Sequence, residues 1–431
     1  MAEDKFGAII VGAGPAGSTA AYVLAQAGVE VLLIERGETP GSKNMFGGRM
    51  YSSALNRIIP GFWEEAPLER PVAKEILSFI NGSRSVSITC QEPDWLKPPI
   101  HSFTVLRAEF DAWLAGKAEE AGAVLACGIR VDDVLLENGR VVGVRAGDDA
   151  IYADVVVAAD GANSLLVEKA GLRKTLLPQQ VATGAKQLLE LPADTISQRF
   201  QLEEDQGAAC LFVGSCTAGL PGGGFLYTNR SSISLGLVVN AAALQSHQIK
   251  VNELLEDFKA HPQIAPLIAG GEVAEYSAHL VPEAGLNMQP ELFGDGILVA
   301  GDAAGFVVNL GYMVRGMDLA IASGEAAAQA ILAARDKNDF TRQGLSGYIE
   351  FLKQNGVSRV METYRHAPEF LESQRLYQNY PQLVTDLAAD LFTIGDKPAE
   401  HLLNKMRQGI TGSKIGWVGL ARDAWKGGRS L

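Results

Sequence analysis

Phe6-Gly7-Ala8-Ile9-Ile10-Val11-Gly12-Ala13-Gly14-Pro15-Ala16-Gly17 carries the chain's most informative pattern, and the residues up to Arg36 complete it. The apolar run 8–11 predicts a buried parallel strand. Residues 18–27, rich in Ala and Leu, predict a helix ended by Gly28; residues 29–34 predict a second strand closed by Glu35. Glycines at 12, 14 and 17 between strand and helix form the βαβ dinucleotide fingerprint in its full context. Gly12 permits the tight turn, Gly14 lets the backbone approach a pyrophosphate, and Gly17 lets helix and strand pack closely. Pro15 and Ala16 lie in the first helical turn, where unpaired N–H groups and the positive dipole end favour phosphate. Glu35, with Arg36 beside it, can accept hydrogen bonds from a ribose diol. The motif implies an ADP moiety and leaves open which dinucleotide carries it.

Working outward, 431 residues are enough for two or three domains. Hydrophobic content of 47% and charged content of 20% are those of a globular protein. The net charge of −13 argues against nucleic acid as a partner. No uncharged apolar run is long enough to span a bilayer. Residues 1–5 lack the start of a signal peptide, so the expected location is cytoplasmic. Cys90, Cys127, Cys210 and Cys216 form no Cys-x-x-Cys pair, and the six histidines lack ligand spacing. Neither an iron–sulfur cluster nor any other metal site is expected in this chain.

The nucleotide domain is expected in three pieces, 1–72, 101–174 and 291–339. After Glu35 a polar loop leads to Gly47-Gly48-Arg49, either a simple turn or a close backbone approach to something flat. Residues 73–100 read as an excursion into a second domain. Arg107 begins a helix ended by Gly122; it is either a surface charge or a contact to phosphate or ribose. Asn138-Gly139 predicts a hairpin. The apolar strand before Asp160-Gly161 places that pair at a carboxyl strand end, where open α/β sheets bind ligands. Residues 175–290 read as the second domain, with antiparallel strands including 198–202 and 232–239 and a helix at 251–260. Gly222-Gly223-Gly224 opens no helix and is no second fingerprint. A strand then ends in Gly301-Asp302, followed by a long Ala-rich helix to about residue 335. Residues 340–431 read as a helical segment. From His401 onward that segment holds Lys405, Arg407, Lys414, Arg422, Lys426 and Arg429 against Asp423, interleaved with Trp417 and Trp425. Six glycines there are expected to weaken helix formation. Ile415, Val418 and Trp425 are at spacings that would share a helical face.

The fingerprint with Glu35, Asp160-Gly161 and Gly301-Asp302 together resemble the FAD pattern of glutathione-reductase-like flavoproteins, in the aromatic-hydroxylase and geranylgeranyl-reductase branch. The resemblance narrows on 43–51, on Gly222-Gly223-Gly224-Phe225-Leu226-Tyr227, on 301–320 (with Asn309 and Arg315-Gly316-Met317-Asp318) and on 380–388. These are similar to the FixC-type members of the electron-transfer-flavoprotein:quinone oxidoreductase family. The resemblance implies a discontinuous Rossmann-type α/β FAD domain with an inserted antiparallel-sheet α+β domain and a helical C-terminal segment. It implies FAD bound at Gly12, Gly14, Pro15, Ala16, Gly17, Glu35, Arg36, Gly47, Gly48, Arg49, Arg107, Asp160, Gly161, Gly301, Asp302, Ala303, Gly305 and Asn309. Asp302 would hold the ribityl hydroxyls, and the following helix would aim its N-terminus at the ring. Gly223, Gly224, Phe225 and Tyr227 are candidates for a quinone site at the end of an apolar tunnel; an ordinary β-turn is the alternative.

The implied partners are a two-subunit electron-transfer flavoprotein, quinone and a ferredoxin-like iron–sulfur subunit, in a complex of the type that bifurcates electrons. The basic tail would meet that subunit or an anionic membrane surface. One fingerprint without a second disfavours a nicotinamide domain, and no acid–base pair or Cys-x-x-Cys suggests further catalytic residues. The alternative is a stand-alone reductase or hydroxylase acting on an apolar substrate.

Overall fold

The computed structural model describes residues 5–43, 48–395 and 400–431. Among them two large sheets dominate. In the first, the parallel strands run in the order Ile297–Val299, Asp149–Ala158, Phe6–Val11, Val31–Ile34 and Val124–Ala126. Three distant parts of the sequence therefore lie side by side. Residues 8–11, 31–34, 155–158 and 297–299 are rich in β-branched side chains and buried on both faces, as parallel sheets covered by helices require, whereas the edge strand Val124–Ala126 is partly exposed. The first strand runs into helix Pro15–Gln26, with proline at its start, where a missing N–H costs nothing. The long helix Met317–Asp336 packs against it so closely that a Cβ on Gly324 would sit 2.1 Å from the carbonyl oxygen of Ala16. Tyr348 is fully buried beneath the sheet and donates its hydroxyl to the Val299 carbonyl at 2.8 Å. Asn138 and Gly139 both have positive φ, and the hairpin joins Asp133–Glu137 to Arg140–Ala146 as expected.

The second sheet has seven strands: Glu272–Pro282, Val181–Glu190, Ser232–Asn240, Gly222–Thr228, Gly207–Gly214, Val72–Asn81 and Arg84–Gln91. All neighbours are antiparallel except the pair Gly207–Gly214 with Val72–Asn81. Alternation decides its two faces. Ala185, Leu189, Leu226, Leu235 and Leu237 point into a core shared with Leu254, Leu255 and Phe258 of helix Val251–Ala260. The opposite face turns toward the first sheet.

Three expectations need correction. Residues 198–202 are no strand: helix Ala193–Phe200 occupies most of them, because Ile196 and Phe200, four apart, are both buried on its inner side. The tail's glycines do not prevent helices at Leu402–Gly412 and Gly416–Ser430. Cβ atoms at Gly409 and Gly427 would press on Leu387 and Phe370, so these glycines permit close helix packing. Ile415 precedes the last helix and is buried, whereas Val418 and Trp425 are exposed, so the three do not share a face.

Candidate functional site

A cleft of about 1060 Å³ opens along the carboxyl edge of the first sheet and is roofed by the second. Gly12, Gly14, Pro15 and Ala16 form its floor beside Glu35 and Arg36; Arg107, Asp160, Gly161, Gly301 and Asp302 continue the lining to Gly316 and Met317 at the start of the long helix. The fingerprint glycines differ in what an added atom would meet. Gly12 has φ +103°, and its Cβ would lie 2.3 Å from the Ala159 carbonyl oxygen. A Cβ on Gly17 would meet the Gly12 carbonyl oxygen at 1.9 Å, so Gly17 supports the turn without lining the cleft. A Cβ on Gly14 would meet only Arg107 Nη2, at 3.8 Å; it would project into the cleft.

Glu35 accepts the backbone N–H groups of Ala13 at 3.0 Å and Gly37 at 2.7 Å, which fixes its carboxylate at the strand end. Each oxygen keeps a further acceptor site for a diol. Arg107 grips Asp111 through a fork of 2.8 and 2.7 Å. Burial pulls its guanidinium down, but Asp111 and Asp302 together raise it above its ordinary range. It is therefore a permanent cation between Gly14 and Asp302. Burial pushes the Asp302 carboxyl up, against the pull of Arg107. Asp160 is raised chiefly by burial and accepts the Ser164 hydroxyl at 2.6 Å, so it braces the following turn. A glycine floor, a fixed cation and an acceptor at each end suit a long diphosphate ligand with hydroxyls.

The remaining expected residues are more scattered. Gly47 lies outside the described residues. Gly48 packs near Met317, with Cβ room of 3.6 Å to its sulfur. Arg49 does not line the cleft. It pairs with Glu75 on the second sheet, donates to the Ser102 hydroxyl and lies over the Tyr51 ring at 4.4 Å. Ala303 is buried, and Gly305 follows it in the turn after Asp302. Asn309 accepts from the N–H of Gly311 at 2.9 Å. Gly223, Phe225 and Tyr227 lie on the second sheet's face toward the first, outside the cleft lining; Gly224 points the other way, against Phe258. The stretch is a strand, not a turn.

Sequence reasoning missed His279 and Val281, which line the cleft from strand Glu272–Pro282. Burial takes the His279 imidazole down to about 4, helped by Arg107, Lys186 and Arg36. It also missed the ion pair of Arg315 with buried Asp318 at the head of the long helix. Among the described residues no cluster is suited to a metal ion.

Fold and cleft define an FAD-dependent oxidoreductase, and comparison with known proteins agrees. A profile described as FAD dependent oxidoreductase matches residues 8–205, and one described as ETF-QO/FixC family C-terminal domain matches residues 367–431. The chain is 52% identical over 427 residues to "Protein FixC" of Escherichia coli O157:H7, covering 99% of each chain. It is 47% identical over 433 residues to "Probable electron transfer flavoprotein-quinone oxidoreductase YdiS" of Escherichia coli K12, covering both chains fully. A geranylgeranyl bacteriochlorophyll reductase-like protein from Thermoplasma acidophilum shares the fold, with a TM-score of 0.73 at 21% identity over 98% of this chain and 99% of that one. The chain belongs to the ETF-QO/FixC family, and its function is FAD-based electron transfer.

Proposed function

We propose that this chain takes electrons from an electron-transfer flavoprotein and delivers them to quinone, with FAD lying in the cleft from Glu35 to Met317. The observation that carries this reading is the cleft itself: one glycine-floored site, roofed by a second sheet, in a chain whose relatives bear those names. Bound FAD supplies the two-electron carrier. The chain's residues bind and orient it. Gly14 admits the diphosphate, Arg107 neutralises it, Glu35 and Asp302 accept ribose and ribityl hydroxyls, and Gly316-Met317 presents a helix start to the ring. We divide the chain into nucleotide segments 1–72, 101–174 and 291–339 and a substrate unit, a division supported by the separation of the strands into two large sheets.

The C-terminal segment is the docking face for a ferredoxin-like iron–sulfur subunit. Ile394, Phe392 and Val418 are 98%, 88% and 84% exposed, and Leu403 and Trp425 are exposed too, in a segment rich in basic residues. Among the described residues no helix is long and apolar enough to cross a membrane. Replacing Leu403, Val418 and Trp425 with Asp should abolish co-purification with the iron–sulfur subunit while FAD content persists. Loss of liposome binding alone would assign the face to a membrane surface.

The electron path is tested by anaerobic stopped-flow mixing of the holoprotein with reduced electron-transfer flavoprotein and then a short-chain ubiquinone. Bleaching and return of the FAD absorbance are expected, with no bleaching by NADH or NADPH alone. Turnover with a nicotinamide nucleotide alone would establish the stand-alone enzyme instead.

A further inference from the structure

The register of the second sheet gathers polar groups on the face that meets the cleft. Phe225 stands opposite Gly236, Gly236 opposite Lys186, and Lys186 opposite Ser277. Their sequence neighbours Leu226, Leu235, Leu237 and Ala185 enter the core on the other side, so these four share the face toward the first sheet. Gly236 leaves room for the Phe225 ring, which a Cβ there would approach to 2.4 Å. The ring lies 5.7 Å from Lys186 Nζ and stacks on Tyr227 at 5.4 Å. One row further along, Gly223, Val238, Gly184 and His279 stand in line, and His279 lines the cleft. Two stacked rings, the glycine that admits one of them and a buried amine thus lie within two strand rows of the cleft wall. Lys186 is only 3% exposed, an uncommon place for an amine.

We propose that Lys186 is the general acid that protonates a quinone oxygen, the ring being held against Phe225 and Tyr227. This rests on the quinone reading above. Reduction of a quinone to a quinol needs two electrons and two protons. Reduced FAD supplies both electrons and one proton. The second proton leaves the Lys186 ammonium: its N–H bond breaks, an O–H bond forms on the quinone, and a neutral amine remains for solvent to reprotonate. The charged and titratable groups around this amine allow such cycling. Burial draws it well below its ordinary range, Arg107 adds to the fall, and Glu275 opposes it. His279, two strand positions beyond Ser277, is itself held neutral. On the far side Tyr227 is pushed up by burial, and Glu75 is paired with Arg49.

The test uses FAD-loaded protein reduced by dithionite and mixed with a short-chain ubiquinone or with ferricenium, which takes electrons without protons. Lys186→Met and Lys186→Arg are both expected to slow quinone-driven reoxidation by at least ~10-fold and to remove its pH dependence, with ferricenium-driven reoxidation and FAD content unchanged. The arginine variant is decisive, because a guanidinium keeps the charge but does not release a proton. Restored quinone rates in Lys186→Arg, equal slowing with both acceptors, or quinone rates within twofold of wild type would each overturn the proposal. Lys186→Gln repeats the measurement should the methionine variant fail to fold. A wild-type protein that ferricenium reoxidises and quinone does not would refute the quinone reading itself.

Discussion

Along the carboxyl edge of the first sheet, the floor of the cleft is mostly main chain: Gly12, Gly14 and the N–H groups of a helix start, with Glu35 fixed by two backbone donors. On the covering face of the second sheet the chemistry is carried by side chains, Lys186, His279, Phe225 and Tyr227, placed by strand register. The two walls therefore fail differently. Backbone sites tolerate no added atom where they are packed, and side-chain sites lose chemistry before they lose fold.

The largest effect falls on the first wall. Gly17→Val puts a branched side chain where the Gly12 carbonyl already sits at 1.9 Å from a Cβ. It should cost more than about 4 kcal/mol and leave little folded protein, read by urea denaturation. Arg107→Met is the next test. It strips both guanidinium bonds from Asp111, which has no exposed side-chain surface, so a loss of about 3 kcal/mol is expected in addition to weaker FAD binding. Arg107→Met with Asp111→Leu should recover much of the stability and none of the affinity, which separates the two roles of this residue.

A smaller, pH-dependent effect belongs to the second wall. Burial, with Glu372, raises the Glu283 carboxyl from 4.5 to about 7, against an opposing hydrogen bond from Asn240. Because the folded pKa is the higher, the native state holds a proton that the unfolded chain has lost between those values. This group's stabilising contribution is full below pH 4.5 and is lost as pH rises to about 7. Glu283→Gln should match wild type at pH 4.5 and exceed it by about 3 kcal/mol at pH 8 in thermal or urea unfolding. The smallest effect is at Arg342, whose pair with Glu291 leaves both side chains more than half exposed; Arg342→Ala should change stability by less than about 1 kcal/mol.

The same contrast explains what could be read from the chain. The first wall was legible because a βαβ turn needs glycines at fixed spacing, and strand ends at Asp160 and Asp302 are marked by short apolar runs. The second was not, because register depends on which distant strands pair. Nothing near residue 186 announces that it will face Phe225 across Gly236. Arg49 was assigned to the cofactor from its loop, and Glu75, distant in sequence, takes it instead. Residues 198–202 read as a strand because the buried pair of helix Ala193–Phe200, Ile196 and Phe200, is too sparse to show helical period in a short polar stretch. The tail's glycines read as helix breakers because their packing partners Leu387 and Phe370 are distant in sequence.

Placement of FAD in the cleft is tested most directly by Gly14→Val. The added side chain meets no backbone and projects into the space assigned to the diphosphate. Stripped of FAD, the variant should unfold at the urea midpoint of FAD-free wild type, with FAD affinity, measured by fluorescence titration, reduced by at least ~100-fold, about 2.7 kcal/mol. A folded variant that purifies yellow, with one FAD per chain, would contradict that placement.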